Sequence, residues 1–295
     1  YAIKKNFNKM LKNRMDAAGV RVQKPRRSSR KRPILLVIHE RFSNGHAMFR
    51  SYAPMIKHLS SKFELHAFVD NSHIDDEGRQ LFDQVHGFDK GTAFHVKVIA
   101  NKISKIEPDI IYYPSLGMSH WTVMLSNLRL ARVQIMTHGH PATSMSEEID
   151  YTFIGKLEGD PTALHSEVIL EGSSQVSFEL HHHLPEKLPA LLEPSSREVK
   201  IAVNSKVMKL SYRLFNICKR LQNECNVPVK FRFFPGEMGY RFDGLRAQIK
   251  TQLPDAEVVL YEEYPKFLND IAACDLAFAA FPFGNTNSTV DTSLL

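Results

Sequence analysis

Cysteine is scarce in this chain. Its 295 residues hold three, Cys218, Cys225 and Cys274, too few for a disulfide framework. That count suits a reducing compartment, where a buried thiol acts as a small hydrophobe, so the expected location is cytoplasmic. No apolar run approaches the roughly 18 residues a membrane span needs. No signal-peptide pattern is visible either; the chain begins at Tyr1 rather than Met, which leaves room for a segment removed ahead of it. No Gly-x-Gly-x-x-Gly follows the first strand-like run, and no Gly-Lys-Ser/Thr phosphate loop occurs. Both absences argue against dinucleotide oxidoreductases and P-loop enzymes. Acidic residues are almost missing from the first 32 positions, where twelve Lys or Arg face Asp16 alone. The overall charge of +6 is therefore a local +11 that leaves about −5 for the rest. A nucleic-acid reading would rest on that tail alone, so nucleic acid is an unlikely partner.

What is present is ordinary globular material, 43% hydrophobic and 24% charged, long enough for about two domains. Residues 1–20 space Ile3, Phe7, Met10, Leu11 and Met15 as on a helix. Residues 21–33 have the composition of a solvated basic linker. Strand and helix signals then alternate, the pattern of a parallel sheet. The strand-like runs are Ile34–Ile38, Phe63–Val69, Ile110–Tyr113 and Val133–Met136. Helical patterns cover His46–Leu59, Thr92–Ile106 and Ser119–Leu128. Periodicity fades from Tyr151 to Pro194. A second alternating half comes next, with strands at Val199–Val203, Val229–Phe234, Glu257–Tyr261 and Leu276–Phe281. Its helices are expected over Val207–Gln222, Asp243–Thr251 and Pro265–Ala273. The expected fold is α/β, a GT-B arrangement of two Rossmann-like domains, the second truncated at its C-terminal end. The domains read as 1–32 (a helical remnant plus linker), 33–197 (acceptor side) and 198–295 (nucleotide-sugar side).

Candidate residues sit where parallel strands end, since ligands bind there. Phe281-Pro282-Phe283-Gly284-Asn285-Thr286-Asn287 closes the last strand and leads into a helix start, and Asn285, Thr286 and Asn287 can donate to phosphate or ribose oxygens. Asp291 can orient one of them or contact the sugar; equally, it can stabilise a helix N-terminus. Lys209 is expected in the first turn of the helix after Val199–Val203, where an ammonium calls for an anion; its alternative is a solvated surface lysine. His138 and His140, in Thr137-His138-Gly139-His140-Pro141, come after a strand, and one of them can donate to phosphate or act as a base. His39, Glu40 and His46 flank the end of the first strand as acceptor-side candidates, against a plain capped turn. His181-His182-His183 invites a metal, yet three adjacent side chains cannot converge on one ion and nothing completes a ligand set. No metal is expected.

Six stretches in order, Phe42–Arg50, Tyr113–Met118, Asn127–Ala131, Gly139–Thr143, Val207–Leu210 and Phe281–Asn287 with Val290–Asp291, resemble one family. It is the bacterial adhesin-modifying N-glucosyltransferases, cytoplasmic enzymes related to O-linked N-acetylglucosamine transferase. The resemblance implies a GT-B fold and an inverting, metal-independent transfer with no cofactor. The donor substrate would be UDP-glucose or another UDP-hexose, and the acceptor an Asn of Asn-x-Ser/Thr in a protein such as an adhesin. By position Lys209 matches the diphosphate-binding lysine, Asn287 and Asp291 the nucleotide-sugar contacts, and His140 the loop histidine. The sequence departs from the family pattern at four places. Met145 stands where a second histidine is usual, Gly236-Glu237 replaces Gly-Gln, Leu260–Glu263 replaces a His-rich segment, and Ser288 replaces a Gly. Glu237 thereby joins the donor-side candidates. Two alternatives stay open, transfer to a sugar or Ser/Thr hydroxyl and an inactive nucleotide-binding relative.

Overall fold

The computed structural model describes residues 2–295 except 23, 27–28, 90, 93–94, 156–159, 173–176, 192–197 and 282–283. Pro282 and Phe283, part of the stretch after the last strand, lie outside the described residues. The chain divides into two compact units, Tyr1–His181 and His182–Leu295.

In the first unit, helix α1 (Ala2–Ala17) is followed by β1 (Ile34–His39), α2 (Ala47–Leu59) and β2 (Glu64–Asp70). Next come α3 (Asp76–Arg79), β3 (Gln84–Phe88), α4 (Val96–Ile106), β4 (Ile110–Tyr113), α5 (His120–Leu125), β5 (Val133–Thr137), β6 (Tyr151–Ile154) and β7 (Val168–Glu171). The seven strands form one parallel sheet in the order β3-β2-β1-β4-β5-β6-β7. The unbroken apolarity of β1 is that of a strand covered on both faces. Leu36 and Ile38 pack with Ile99 and Ile103 of α4 and Trp121 and Leu125 of α5. Leu35 and Val37 face the other way, onto Ala53 and Ile56 of α2. Alternate side chains of one strand thus feed two cores, as a pleated strand requires.

Three strands were not expected from the sequence. β3 reads Gln-Val-His-Gly-Phe, and β6 and β7 are four residues each and partly exposed at the sheet's margin. β3 and β6 lack the apolar run that marks a buried strand, and that of β7 is only three residues, Val168-Ile169-Leu170.

Helix α1 is integrated into this unit. Met15 and Val20 join the same core as Leu36 and Phe68. The basic stretch after it is anchored too. Arg32 donates to the carbonyls of Ser60 (2.9 Å) and Phe63 (2.6 Å) just past α2, and Arg30 to the Glu107 carbonyl (3.0 Å) at the end of α4. Guanidinium groups there satisfy carbonyls that a helix end leaves unpaired.

Pro54 lies inside α2 and removes the amide that would bond the Arg50 carbonyl. The Glu179 amide takes that carbonyl instead (2.8 Å), while Arg50 Nε donates to the Glu179 carbonyl (3.1 Å). A helix defect becomes the docking point of a distant segment.

The second unit comprises β8 (Val199–Val203), α6 (Tyr212–Glu224), β9 (Val229–Phe233), α7 (Gly239–Gln252), β10 (Glu257–Val258), α8 (Tyr264–Ala272), β11 (Leu276–Phe278) and α9 (Thr286–Ser293). Its parallel sheet runs β10-β9-β8-β11. Leu214, Phe215 and Cys218 of α6 and Leu245 and Ile249 of α7 pack on Ile201, Val203, Phe231 and Phe233. Ala202 faces the opposite side with Phe234 and Ile271. Both units therefore wind helices on two faces of a parallel sheet, and the fold class is α/β of the GT-B type. The helix expected to start at Val207 is in fact two pieces. Val207–Lys209 forms a 3-10 turn, and α6 starts afresh at Tyr212, capped by Ser211 Oγ accepting from the Leu214 amide (3.3 Å). A Ser preceding a helical run is a strong start signal that outweighs the apolar spacing before it. Lys209 accordingly belongs to the connection and not to the first turn of α6.

Candidate active site

In the second unit the ends of β8 and β11 are neighbours, and the connections that leave these two strands meet. Lys209 Nζ donates to the Gly284 carbonyl and to Asn285 Oδ1, both at 2.7 Å. Asn285 Nδ2 in turn donates to Ser205 Oγ (2.7 Å) and to the Asn204 carbonyl. Asn285 is the N-cap residue of α9 by backbone geometry, but its side chain makes no cap hydrogen bond. It serves instead as a clip between two loops. The Asn285 side chain thus spans the two connections and does not cap α9. Burial lowers the Lys209 pKa, the sign expected for an ammonium short of counter-charge. An oxyanion near Lys209 would reverse that shift.

Three further donor-side candidates lie on the same edge of the sheet. Thr286 is exposed at the start of α9, with Asn287 half-buried beside it. Glu237 is half-buried in the connection from β9 to α7. Lys206 Nζ reaches the Gly236 carbonyl at 3.4 Å. Gly236 has φ +66°, and a Cβ there would lie 2.4 Å from that amine, so glycine lets the lysine fold across it. Asp291 is buried, and its Oδ1 accepts from Tyr264 Oη at 2.8 Å. Asn204, Ser205 and Tyr264, the holders of these candidates, were not singled out from the sequence. Small polar residues directly after a buried strand were the available signal for the first two.

In the first unit His39, Glu40 and His46 have different surroundings. His39 is buried, stacked on Phe42 at 3.8 Å, and neither ring nitrogen has a hydrogen-bond partner. Desolvation brings its pKa down to about 3. Glu40 is buried and accepts from Ser115 Oγ (2.6 Å), Thr122 Oγ1 (2.5 Å) and the amides of Ser119 (2.7 Å) and Gly117 (3.2 Å). It caps the start of α5 from outside the helix. His46 is half-buried at the N-cap of α2, with Nδ1 accepting from the Met48 amide (3.2 Å). Desolvation first, then Arg41 and His73, lower its pKa to about 4.

His39 makes stability depend on pH. The unfolded imidazole takes a proton near pH 6.5, the folded one only near 3, so below 6.5 protons favour the unfolded chain. This stability is complete above pH 6.5 and drains away as pH falls towards 3. His39→Leu should therefore be on the order of 2 kcal/mol less sensitive to a step from pH 7 to pH 5 than the parent chain. Urea unfolding of both at the two pH values measures it, and equal losses would remove His39 as a source of acid lability.

Beyond β5, His140 packs over Gly117. That glycine has φ +129°, and a Cβ would lie 2.7 Å from His140 Cδ2. The neighbouring His138 stacks on His165 at 4.8 Å, with its Nε2 buried and unpartnered. Desolvation and His165 lower its pKa while Glu167 opposes them. Among the described residues no group of three or more His, Cys, Asp or Glu is placed to hold an ion. No helix among them is long and apolar enough to cross a membrane.

No protein-family model matches the chain. It is 28% identical over 273 residues to the UDP-glucose:protein N-beta-glucosyltransferases of two Actinobacillus pleuropneumoniae strains, of serotypes 5b and 7. The match takes in 88% of this chain and 42% of either relative, so the chain spans less than half their length. Among solved structures, a mutant O-GlcNAc transferase of Thermobaculum terrenum matches 97% of this chain and 56% of its own at a TM-score of 0.69 and 14% identity. The crystal structure of Anabaena HepE in complex with UDP-glucose matches 89% and 78% at a TM-score of 0.53 and 12% identity. Likeness at such identities is a likeness of fold.

Proposed function

We propose that the chain is the transferase part of a UDP-sugar-dependent protein glycosyltransferase, a member of the N-glucosyltransferase family that the sequence resembles. The observation that carries this reading is the clip of Lys209 and Asn285 at the ends of β8 and β11, found in a chain similar to UDP-glucose:protein N-beta-glucosyltransferases over most of its length. In the proposed reaction the diphosphate of a UDP-hexose, glucose first, lies at Lys209 and the start of α9. The acceptor nitrogen attacks the anomeric carbon with inversion and gives up one proton to a base, His140 in this proposal, while the bond from that carbon to the β-phosphate oxygen breaks. Its electron pair stays on UDP, where Lys209 stabilises the growing charge. Asn285, Thr286, Asn287 and Asp291 orient the nucleotide sugar, with Glu237 beside it. No metal is required, because a cation and helix amides supply the charge.

The proposed acceptor is Asn in Asn-x-Ser/Thr of a cytoplasmic protein, with an adhesin as the model case. His140 is the proposed catalytic histidine, and His46 the acceptor-side histidine that keeps partial solvent contact. The test incubates the full-length protein with a panel of UDP-sugars and with peptides carrying Asn-x-Thr, or Ser in place of that Asn, read by intact mass. A gain of one hexose on the Asn peptide alone is the expected result. Modification of the Ser peptide would move the acceptor to a hydroxyl. UDP binding without any transfer would leave an inactive relative.

A further inference from the structure

The connection 138–146, which carries both histidines, is held from three sides. Glu167, its carboxylate fully buried, accepts from Thr143 Oγ1 (2.8 Å), the Ser144 amide (2.7 Å) and Ser144 Oγ. Burial alone would raise the pKa of this carboxyl, but the Ser144 and Thr143 donors outweigh it and the net shift is downward. The same residues are gripped through their carbonyls by α1. Lys4 Nζ donates to the Thr143 carbonyl, and Asn8 Nδ2 to that of Ser144 (2.9 Å). Asn8 is itself fixed by Asn127 Nδ2 (3.3 Å). Ser146 Oγ donates to the Ser126 carbonyl at 2.6 Å.

Between these anchors Met145 adopts φ +55°. A side chain with a Cβ enters that region at a cost of about 1–2 kcal/mol, and such strain persists only where the surroundings over-determine it. A connection that merely crossed the sheet would need neither strain nor a buried carboxylate. This one carries His138 and His140, and the same Glu167 stands 3.8 Å from Nδ1 of His165, the ring on which His138 stacks.

We propose that Glu167 is a positioning residue for the transfer reaction, fixing the histidine connection together with Lys4 and Asn8 while touching no substrate. This rests on the glycosyltransferase reading. Glu167→Gln keeps the shape but turns one acceptor oxygen into a donor that faces hydroxyl and amide donors. Asn8→Ala is the milder companion, since it leaves the buried carboxylate in place.

The experiment uses the full-length protein with UDP-glucose and an Asn-x-Thr peptide. It reads kcat and donor KM, UDP affinity by calorimetry, and melting temperature. For Glu167→Gln the expected result is kcat down roughly 10- to 100-fold, as for a small misplacement of a reacting group, with donor KM and UDP affinity within twofold. Asn8→Ala should move in the same direction by several-fold. If the unaltered protein binds UDP-glucose but transfers to no acceptor, the parent reading falls and this one with it. A transferring parent with an unchanged kcat in both variants overturns the positioning role alone. Parallel losses of kcat, UDP affinity and melting temperature would make Glu167 a support of the fold and overturn it as well.

Discussion

Replacing Lys209 by alanine is expected to lower transfer turnover by about 2–4 kcal/mol of transition-state stabilisation, in the range found for removing one oxyanion donor. The structure explains why this variant should remain folded. Among the described residues the ammonium bonds the Gly284 carbonyl and Asn285 Oδ1, and Asn285 keeps its amide bonds to Asn204 and Ser205 when the lysine is gone. Since the charge matters most as the C–O bond breaks, kcat should fall further than donor affinity. Lys209→Arg should restore part of the loss, limited by a planar group in a space shaped for a compact one. The lowered pKa of Lys209 adds a sign. kcat/KM should decline on the alkaline side earlier than an ordinary lysine would allow, and the arginine variant should lack that limb. Steady-state rates against pH for the three proteins measure both effects. A Lys209→Ala rate equal to the parent's would remove the residue from the mechanism.

Glu40→Ala should produce the largest loss of stability, about 3–5 kcal/mol, the scale of breaking a buried charged network from one side. Four donors converge on that carboxylate, and two of them are amides at the entry to α5. Alanine would leave the buried Ser115 hydroxyl without this acceptor, Thr122 Oγ1 with the Ser119 carbonyl alone, and the part-buried amides of Gly117 and Ser119 unanswered by the carboxylate. Glu40→Gln should lose less, because one oxygen still accepts. Equilibrium urea unfolding at pH 7 reads the difference, and a loss below about 1 kcal/mol would show that water replaces the carboxylate. Gly117, one of the four donors, carries His140 on its face. The damage should therefore reach the histidine connection, and residual activity should fall further than the folded fraction does.

The sequence displayed the buried strands far better than the marginal ones. β1 and β4 announce themselves as apolar runs because both their faces are covered. β3 and β7 carry Gln, His and Glu at exposed or half-exposed positions and β6 interrupts its apolar residues with Thr152, so composition does not separate strand from loop. At the candidate site, Lys209 and Asn285 could be named from where strands end, but their direct bond across 76 positions could not. The sheet order that makes β8 and β11 neighbours exists only in three dimensions. Glu40 and His39 show the converse. A polar pair at the end of a strand looks like a site, yet one is the cap of a helix about 80 residues on and the other is sealed among phenylalanines. Local sequence does not reveal which side chains turn inward.

The way α1 is built in bears on where this chain tolerates cutting. The sharp change in charge near residue 33 marks an obvious boundary for a shortened protein. Yet Met15 and Val20 lie in the same core as β1, and the arginines between them and β1 hold the ends of α2 and α4. A version beginning at residue 33 would expose a greasy trench beside the sheet and strip the Lys4 and Asn8 holds from the segment bearing His140. Anyone trimming, fusing or grafting this half should treat its opening helix as inseparable from the sheet it braces.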